Sequence, residues 1–384
     1  MQLPEHAAHA IRRLERAGFE AWAVGGCVRD RLLGRASNDI DIATSAKPER
    51  VLSIFAGCAV AGAGMKHGTV TVVTGGVPYE VTTFRTDGKY SDLRHPQSVC
   101  FVEDIKADLA RRDFTVNAIA YSPTRGMIDP FSGAEDIKNG IIRAVGNAHK
   151  RFSEDALRIL RALRFASVLG FEIEPETARA AFELREELTA VSAERVFSEL
   201  KKLLCGAAAY DVICRYREII AVRCPLAADI PDICRLPPAP AMRFAAVCGA
   251  EAESALYALK ADKATRTRAA LFAGCRPFPA GEREFRIAAA RLGREVSESI
   301  AVYRDALYPE CSAARINTLV KNGVCLSLDT LAVNGKDIRA LGVRGADIGA
   351  VLNGLLFAAA AGDIENKRED LLRCAKVMVD KRKK

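Results

Sequence analysis

The fold of this chain is decided by the stretch Val24-Gly25-Gly26-Cys27-Val28-Arg29-Asp30, continued further on by Asp39-Ile40-Asp41-Ile42-Ala43-Thr44. Side chains in a strand point alternately to the two faces of the sheet. Asp39 and Asp41 are therefore predicted to lie on one face of a strand, where two carboxylates can share a metal ion. The apolar residues predicted to be buried around them are Leu32, Ile40 and Ile42.

A glycine turn, Gly25-Gly26, precedes that strand and lets a helix start close to the sheet, because glycine carries no side chain. Backbone N–H groups at the start of a helix bind anions. A turn of this kind beside paired carboxylates favours a metal-bound substrate that carries phosphates. A lone Asp-x-Asp is more often a solvated edge strand after an ordinary glycine turn, so the interpretation depends on the rest of the pattern.

Length and composition indicate the class of protein. The 384 residues, 49% of them hydrophobic, are long for a single core and predict two or more domains. No apolar run is long enough to span a membrane, and residues 1–20 lack the basic and apolar segments of a signal peptide. The sequence therefore predicts a soluble, cytoplasmic protein with no membrane contact.

Charge and cysteine usage narrow the class further. The formal net charge of +8 suits a partner with a phosphate backbone without identifying one. The 12 cysteines are scattered, with no Cys-x-x-Cys pair, and are interpreted as reduced core residues. The five histidines are also dispersed, so a structural metal site is not expected.

The first 150 residues combine helical and strand patterns. Helices are predicted over residues 5–17, 30–33 and 48–55, a strand over 21–24, and a hairpin over 69–74 and 79–84 around Gly75-Gly76. Glu80 lies in the second hairpin strand. It is either a third carboxylate of the site or an exposed strand residue.

Polar segments follow the hairpin. Residues 86–97 are punctuated by glycine and proline without periodicity, which predicts a functional or mobile loop. Residues 108–120 are predicted to form a helix with Arg112, Asp113 and Asn117 near one face. From the residues alone, an internal Arg-Asp salt bridge explains these charges as well as a binding role does.

From Arg151 onward helical patterns replace the strands, which marks the clearest domain boundary. Residues 152–169 are predicted to form one helix with an apolar arc and a charged fan. The fan consists of Asp155, Arg158, Arg161 and Arg164. A solvated face more often mixes Lys, Glu and Gln, whereas guanidiniums with a carboxylate offer planar donors and an acceptor for base edges and phosphates.

Taken in order, these motifs resemble a known family. Gly-Gly followed by apolar-Asp-apolar-Asp-apolar is similar to the signature of the nucleotidyltransferase superfamily that includes DNA polymerase beta. Gly25-Gly26-Cys27-Val28-Arg29-Asp30 with Leu32-Leu33-Gly34-Arg35 resembles its class II branch of tRNA CCA-adding enzymes and bacterial poly(A) polymerases. Glu80 stands where the superfamily pattern expects a third carboxylate.

Further motifs extend the resemblance closely through about residue 204. Residues 108–120 resemble the family's ribose-reading motif, 154–166 its nucleotide-selecting motif, and 192–204 the next motif, which is expected to brace the first helix. The remainder matches loosely, although residues 331–337 resemble a short element in the C-terminal tails of class II CCA-adding enzymes.

For the fold, the resemblance implies an α+β protein, with an N-terminal mixed-sheet, polymerase beta-like nucleotidyltransferase head followed by an all-α neck, body and tail. The expected domains are a catalytic head over residues 1–150 and a nucleotide-selecting neck over 151–205. A tRNA-binding body over 206–310 and a tRNA-binding tail over 311–384 complete the chain.

For the reaction, the resemblance implies that Asp39 and Asp41 hold two Mg²⁺ ions, one activating a 3'-hydroxyl and one bound to the triphosphate of the incoming nucleotide. Glu80 would orient or activate that hydroxyl. The phosphates would be held by the backbone at Gly25-Gly26 and by Arg29.

The resemblance also assigns the residues that read the nucleotide. Arg112 and Asp113 would read the ribose. Asp155 and Arg158 would hydrogen-bond the base edge, accepting CTP and ATP and refusing UTP and GTP. The residues expected to tune that pocket are Arg161 and Arg164.

The implied activity is template-independent addition of CCA to a tRNA that lacks it, using CTP and ATP. A bacterial poly(A) polymerase shares the metal site, but its Arg-rich segment leading to Ile-Ile-Glu-Val-Ala-Thr-Phe differs from residues 65–84. The loop at 86–97 argues against CC-only addition, whereas A-only addition stays open. A non-catalytic RNA-binding protein is disfavoured by the joint presence of these residues. The sequence does not determine the oligomeric state.

Overall fold

The computed structural model describes residues 1–37, 39–61, 64–65, 68–87 and 99–383. The chain folds as two compact units, Met1–Leu226 with Ser254–Asp262 and Ala227–Glu253 with Lys263–Lys384. The finer division into head, neck, body and tail stays a prediction. Within the described ranges, none of the helices is long and apolar enough to cross a membrane.

The N-terminal part of the first unit contains a mixed sheet. Its strands are β1 (Ala21–Val24), β2 (Asp41–Thr44), β3 (Val60–Ala61), β4 (Thr69–Thr74), β5 (Val77–Thr83), β8 (Ala120–Ser122) and β9 (Gly126–Ile128). They lie in the order β3-β4-β5-β2-β1-β8-β9. β2 and β5 run parallel, and the other neighbours run antiparallel.

Two smaller sheets complete the strands of the described chain. β6 (Arg85–Asp87) pairs antiparallel with β7 (Val99–Phe101), and β10 (Ile141–Ile142) pairs parallel with β11 (Glu172–Ile173). The predicted loop at 86–97 falls between β6 and β7, and most of it lies outside the described residues. β11 lies within the helical region. The prediction that strands end near residue 150 was therefore wrong for this short strand.

Helices flank the sheet. Their apolar residues recur at helical spacing and so form a face that can pack against it. They are α1 (Glu5–Arg16), α2 (Gly26–Leu32), α3 (Pro48–Ile54), α4 (Ile105–Ala110) and α5 (Gly133–Asn139). One core joins β1 and β2 to α4 through fully or almost fully buried side chains, including Trp22, Phe84 and Leu109. This core fixes the positions of the strand ends and loops that carry the candidate site.

The rest of the chain is mainly helical. Its helices are α6 (Ala148–Glu154), α7 (Leu157–Leu169), α8 (Pro175–Glu183), α9 (Ala193–Leu204), α10 (Ala209–Arg215), α11 (Arg217–Ala221), α12 (Pro240–Cys248), α13 (Ala252–Ala258), α14 (Lys263–Ala273), α15 (Glu282–Leu292), α16 (Arg294–Leu307), α17 (Ser312–Lys321), α18 (Gly335–Ala340), α19 (Asp347–Ala361) and α20 (Arg368–Lys383). α7 packs along α9, as the bracing role of residues 192–204 predicted.

Residues 331–337 form the start of a helix in the second unit. The Asn334 side chain accepts a hydrogen bond from the Lys336 N–H, and the Asp337 side chain accepts one from the Asn334 N–H. This reciprocal capping box satisfies backbone donors that a helix start otherwise leaves unpaired. The motif therefore has a local structural role at the start of α18.

The predicted helix over residues 108–120 was wrong. α4 ends at Ala110, Thr115–Asn117 form a single 3-10 turn, and β8 begins at Ala120. The Asp113 carboxylate accepts a hydrogen bond from the Phe114 N–H, which competes with helical hydrogen bonding. Charged residues of this segment therefore lie on a loop between a helix and a strand.

The single helix predicted over residues 152–169 was also wrong, because the chain breaks at Asp155. This residue is extended, with φ −149° and ψ 102°, and separates α6 from α7. Its carboxylate accepts a hydrogen bond from the Leu157 N–H at 3.1 Å. Asp155 thus makes a local hydrogen bond next to Ala156, the N-cap residue of α7, and does not lie on a continuous charged face.

Smaller differences concern the ends and exposure of elements. α2 begins at Gly26 rather than at residue 30. Leu32 is 38% exposed, so only Ile40 and Ile42 of the three predicted apolar partners are buried. All 12 cysteines are reduced thiols, as predicted. Three of them are exposed rather than core residues, namely Cys100, Cys214 and Cys311.

Candidate active site

Carboxylates gather at the start of β2, where it runs beside β5. Asp41 is paired in register with Glu80, and Asp39 lies just before the strand. These three acidic residues are exposed, whereas the apolar residues that alternate with them are buried. The buried residues are Ile40, Ile42, Tyr79 and Val81. The alternation predicted from the sequence is confirmed.

The charges at this position favour a cation. Partial burial and the negative charge of Asp39 raise the pKa of Asp41, and the charge of Glu80 adds to the rise. The Arg112 guanidinium opposes it. Ionised carboxylates that repel one another in this way gain most from a divalent cation, because its charge relieves the repulsion.

The glycine turn lies against this acidic group. Gly25 has φ +76°, which glycine adopts without strain. A Cβ atom at Gly25 would lie 3.0 Å from Nη1 of Arg112, so the turn also needs the absence of a side chain. The Gly25 N–H donates to the Ile119 carbonyl, which leaves the predicted phosphate contacts to Gly26 and Arg29.

Cys27 follows the turn and is a buried thiol of low reactivity. Burial and the charge of Asp41 raise the pKa of Cys27 to about 11. The thiol donates a hydrogen bond to the Val24 carbonyl at 3.3 Å. It therefore stays protonated at neutral pH and acts as a packing residue.

A chain of hydrogen bonds connects the glycine turn to α7. Arg29 Nη1 donates to Oδ1 of Asn117 at 2.7 Å, and Asn117 Nδ2 donates to Oδ1 of Asp113 at 3.2 Å. Oδ2 of Asp113 accepts from Nε of Arg161 at 2.8 Å. Asp113 is thus a buried connector between the 3-10 turn and α7, and Arg161 faces the same site as Arg29.

Three arginine guanidiniums surround the ring of Phe165 on α7. The Cζ atoms of Arg164, Arg29 and Arg161 lie 4.0, 5.2 and 5.4 Å from the centre of its ring. Nε of Arg164 lies 2.6 Å from a carboxylate oxygen of Glu199 on α9. Cation-π contacts and this ion pair hold the arginines at fixed positions, which favours the binding of an anion.

The side chains of Asp155 and Arg158 are bound by different partners. Oδ2 of Asp155 accepts from Nη2 of Arg195 at 2.7 Å. Nη1 of Arg158 donates to Oε2 of Glu154 at 2.7 Å and to the Arg151 carbonyl at 3.0 Å. Each side chain is therefore oriented by partners of its own.

These residues surround one cavity of about 570 Å³. Its lining includes ten of the predicted site residues, namely Gly26, Arg29, Asp39, Asp41, Arg112, Asp113, Asp155, Arg158, Arg161 and Arg164. Glu80 is not part of the lining and joins the site through its register with Asp41. The structure thus brings the predicted side chains together from α2, β2, the 108–120 segment and α7.

Five lining residues were not predicted as site residues, namely Arg111, Asn117, Leu157, Phe165 and Arg195. All five lie inside motifs already identified in the sequence. Motif position was therefore the available signal, but the packing of α9 on α7 that brings in Arg195 has no signal in local spacing.

Comparison with known proteins agrees with this geometry. Residues 21–143 match the family model "Poly A polymerase head domain", and residues 170–219 match "Probable RNA and SrmB- binding site of polymerase A". The CCA-adding enzyme of Geobacillus kaustophilus is 38% identical, and the alignment covers 95% of each chain. The chain belongs to the family of CCA-adding enzymes.

Two more members of the CCA-adding family define the extent of the similarity. The enzyme of Leuconostoc mesenteroides is 49% identical over 54% of this chain, and the chain spans about half, 52%, of that protein's length. The crystal structure of the Bacillus stearothermophilus CCA-adding enzyme in complex with CTP is 35% identical, with a TM-score of 0.85 and coverage of 100% of this chain and 99% of that one. The fold predicted from the resemblance is confirmed.

CCA-adding enzymes use divalent metal, and the residues at β2 fit such an ion. Among the described residues, no three His, Cys, Asp or Glu side chains form a metal cluster. Mg²⁺ is usually bound by one or two carboxylates, several waters and the phosphates of a substrate. Asp39 and Asp41 with a nearby triphosphate provide that donor set, and the raised pKa of Asp41 is the expected sign of an uncompensated acidic pair.

The buried Asp113 makes the stability of the first unit sensitive to acid. Burial alone would raise the pKa of Asp113, but the charge and hydrogen bond of Arg161 outweigh it and hold the pKa below its usual value. Such a carboxylate stabilises the folded state above its unfolded pKa, and this contribution is lost as the pH falls through the folded pKa.

We therefore expect Asp113→Asn to lower the melting temperature most at pH 7, with a difference from wild type that shrinks below about pH 4. Thermal unfolding followed by circular dichroism from pH 7 to pH 3 measures this difference. A constant difference across that range would contradict the proposed stabilisation.

Proposed function

We propose that this protein adds CCA to the 3' end of a tRNA that lacks it, using CTP and ATP without a nucleic-acid template. The observation that carries the proposal is the single cavity in which the acidic start of β2, the turn at Gly26 and the arginines of α7 converge. Together, these three groups of residues can bind the triphosphate, the ribose and the base of a nucleotide. The family membership supports the same activity.

In this proposal, Asp39 and Asp41 hold the Mg²⁺ ions. When bound, the ions supply activation of the 3'-hydroxyl and neutralisation of the triphosphate charge. Arg29 and the backbone at Gly26 bind phosphate oxygens, because the Arg29 guanidinium faces the cavity and is oriented by Asn117. Glu80 orients the hydroxyl from the neighbouring strand.

The nucleotide is selected by protein groups that take the place of a template. Asp155 and Arg158 offer an acceptor and donors to the base edge, and Arg112 with Asp113 reads the ribose. Arg161 and Arg164 tune the pocket. Asp113 and Arg161 are joined by a charged hydrogen bond, so we infer that Asp113 contributes by fixing Arg161 as well as by any contact of its own.

The partner in this proposal is tRNA, with the helical regions contacting its phosphate backbone. The net charge of +8 supports binding through charge and shape, which needs no base sequence. An enzyme that acts on tRNA fits a cytoplasmic location. The oligomeric state does not enter the proposal.

Nucleotide addition tests the proposed function directly. Purified protein is incubated with a tRNA lacking CCA and with each nucleotide singly and together, and the products are separated on a sequencing gel. We expect C-C from CTP alone and C-C-A from CTP with ATP. Long A tails would indicate a poly(A) polymerase. Addition of A only to a tRNA ending in C-C would indicate an A-adding enzyme. If no nucleotide is added, the result would favour a non-catalytic RNA-binding protein.

The loop at residues 86–97 carries a second expectation. Shortening it to a tight turn should spare the addition of C-C and impair the final A, because the family resemblance makes this loop a lever that switches the pocket from CTP to ATP. The ratio of C-C-A to C-C products on the same gel measures the effect. Equal loss of all three additions would point to a scaffolding role for the loop.

A further inference from the structure

A buried carboxylate on α4 lies outside the cavity and binds two arginines that line it. Asp108 is 1% exposed and is not among the described residues that line the cavity. Its Oδ1 accepts hydrogen bonds from Nε and Nη2 of Arg111 at 3.0 and 2.8 Å. Its Oδ2 accepts one from Nη2 of Arg112 at 3.2 Å.

The same carboxylate also contacts the hairpin at the base of the 86–97 loop. The Arg85 N–H, at the first residue of β6, donates to Oδ1 of Asp108 at 3.3 Å. Asp108 therefore connects a backbone amide of the hairpin to two guanidiniums that line the cavity. A merely local cap of α4 is already provided by Asp104, which accepts from the Lys106 N–H.

The ionised form of Asp108 is stabilised by these partners. Burial alone would raise its pKa, but the charges of Arg111 and Arg112, with the hydrogen bonds from Arg111 and Arg85, hold the pKa below its usual value. Burying a charge without partners is costly, whereas this one is paired on both oxygens.

Arg112 is the partner with a position in the site. Its Nη1 lies close to the glycine turn, and its charge lowers the pKa of Asp41. A guanidinium placed between a phosphate-binding turn and a metal-binding carboxylate must be held accurately, because a small displacement changes both contacts. The hydrogen bond that its guanidinium donates to Asp108 holds it in this position.

We propose that Asp108 is a positioning residue for ribose recognition, which holds Arg112 in the cavity and ties it to the base of the β6–β7 hairpin. This inference rests on the proposed function, in which Arg112 reads the ribose. Asp108 touches neither substrate nor metal. Its effect on ribose recognition is expected to pass through Arg112.

Equilibrium binding of CTP and 2'-deoxy-CTP in the presence of Mg²⁺ tests the proposal independently of catalysis. The wild type should bind CTP more tightly. Asp108→Asn removes the charge that holds Arg112 and should weaken CTP binding by about tenfold, with little effect on 2'-deoxy-CTP. Titration calorimetry gives both Kd values, and their ratio reports ribose discrimination.

Asp136→Asn is the matched control. Asp136 is a buried carboxylate of the same unit, 5% exposed, bound by Thr115 and Arg143 and absent from the cavity lining. Both substitutions should lower the melting temperature. Only Asp108→Asn should change the ratio of the two Kd values. Asp108→Glu keeps the charge but displaces Arg112, and it provides the measurement if Asp108→Asn does not fold.

A double-mutant cycle separates positioning from general destabilisation. In an Arg112→Ala background, Asp108→Asn should leave the Kd ratio unchanged, because the group that it positions is gone. Full additivity of the two substitutions would overturn the proposal, and so would a wild-type ratio in Asp108→Asn and Asp108→Glu. If binding discriminates ribose but no nucleotide is added to tRNA, the proposed function fails and the role of Asp108 stands.

Discussion

Replacing Asp41 by alanine should abolish nucleotide addition while leaving tRNA binding nearly intact. The Asp41 carboxylate lies with Asp39 at the start of β2, opposite Glu80, and is assigned to the metal rather than to the RNA backbone. Metal activation of a hydroxyl and a phosphoryl group supplies several kcal/mol of transition-state stabilisation, so we expect a loss of about a thousandfold or more. Asp39→Ala should behave in the same way.

Rates of CMP addition and electrophoretic mobility shifts with the same tRNA measure the two effects separately. Glu49→Ala provides the control, because Glu49 is an exposed acidic residue on α3 away from the carboxylate group. Wild-type rates for Asp41→Ala would show that Asp41 does not hold the catalytic metal. A parallel loss of tRNA binding would mean that the substitution disturbs the fold of the first unit.

Stability supplies a second readout that does not need catalysis. The raised pKa of Asp41 means that the folded state binds its proton more tightly than the unfolded state does, so the ionised carboxylate destabilises the fold at neutral pH. Asp41→Asn should therefore raise the melting temperature slightly in EDTA. It should also remove the stabilisation that Mg²⁺ with CTP gives the wild type.

At β2, one feature of the site was predictable from the sequence and another was not. Alternation of Asp39-Ile40-Asp41-Ile42 was predictable, because the period of a strand is a local property. The register that places Glu80 opposite Asp41 joins segments far apart in sequence and has no local signature. Only the family resemblance indicated that Glu80 belongs to this group.

The two wrong helices have a common physical cause. At Asp113 and at Asp155, just after the ends of α4 and α6, a short acidic side chain accepts a hydrogen bond from a nearby backbone N–H, which favours a non-helical backbone. Helical spacing of apolar residues continues across both positions, so periodicity alone cannot detect the break. These breaks turn both carboxylates toward the cavity, and they coincide with the residues that the resemblance assigned to nucleotide reading.

Nucleotide selection should depend on Asp155 and Arg158. A site built to hydrogen-bond its substrate rejects analogues with a different edge, because its own groups would be left unpaired. Each charged hydrogen bond lost costs about 1.5 to 3 kcal/mol. We therefore expect Asp155→Ala or Arg158→Ala to lower the use of CTP and ATP by roughly ten- to a hundred-fold and to narrow the gap to UTP and GTP.

The structure makes the interpretation of Asp155→Ala more demanding. The Asp155 carboxylate also accepts hydrogen bonds from the Leu157 N–H and from Arg195, so its removal should cost about 1 kcal/mol of stability through the lost backbone hydrogen bond alone. Asp155→Asn keeps an oxygen for the Leu157 N–H and removes the charge. Selectivity among the four nucleotides, measured as kcat/KM for each, should therefore change in Asp155→Asn with a smaller change in melting temperature than in Asp155→Ala.

A double-mutant cycle between Asp155 and Arg158 decides whether the two residues act on one base. They have separate partners in the protein, Arg195 for Asp155 and Glu154 for Arg158, so their effects on thermal stability should be additive. Their effects on selectivity should be coupled, because both would contact the bound base. Additive effects on selectivity, or unchanged selectivity with a lower melting temperature, would assign both residues to the structure of the α6–α7 break and would place base recognition elsewhere on α7.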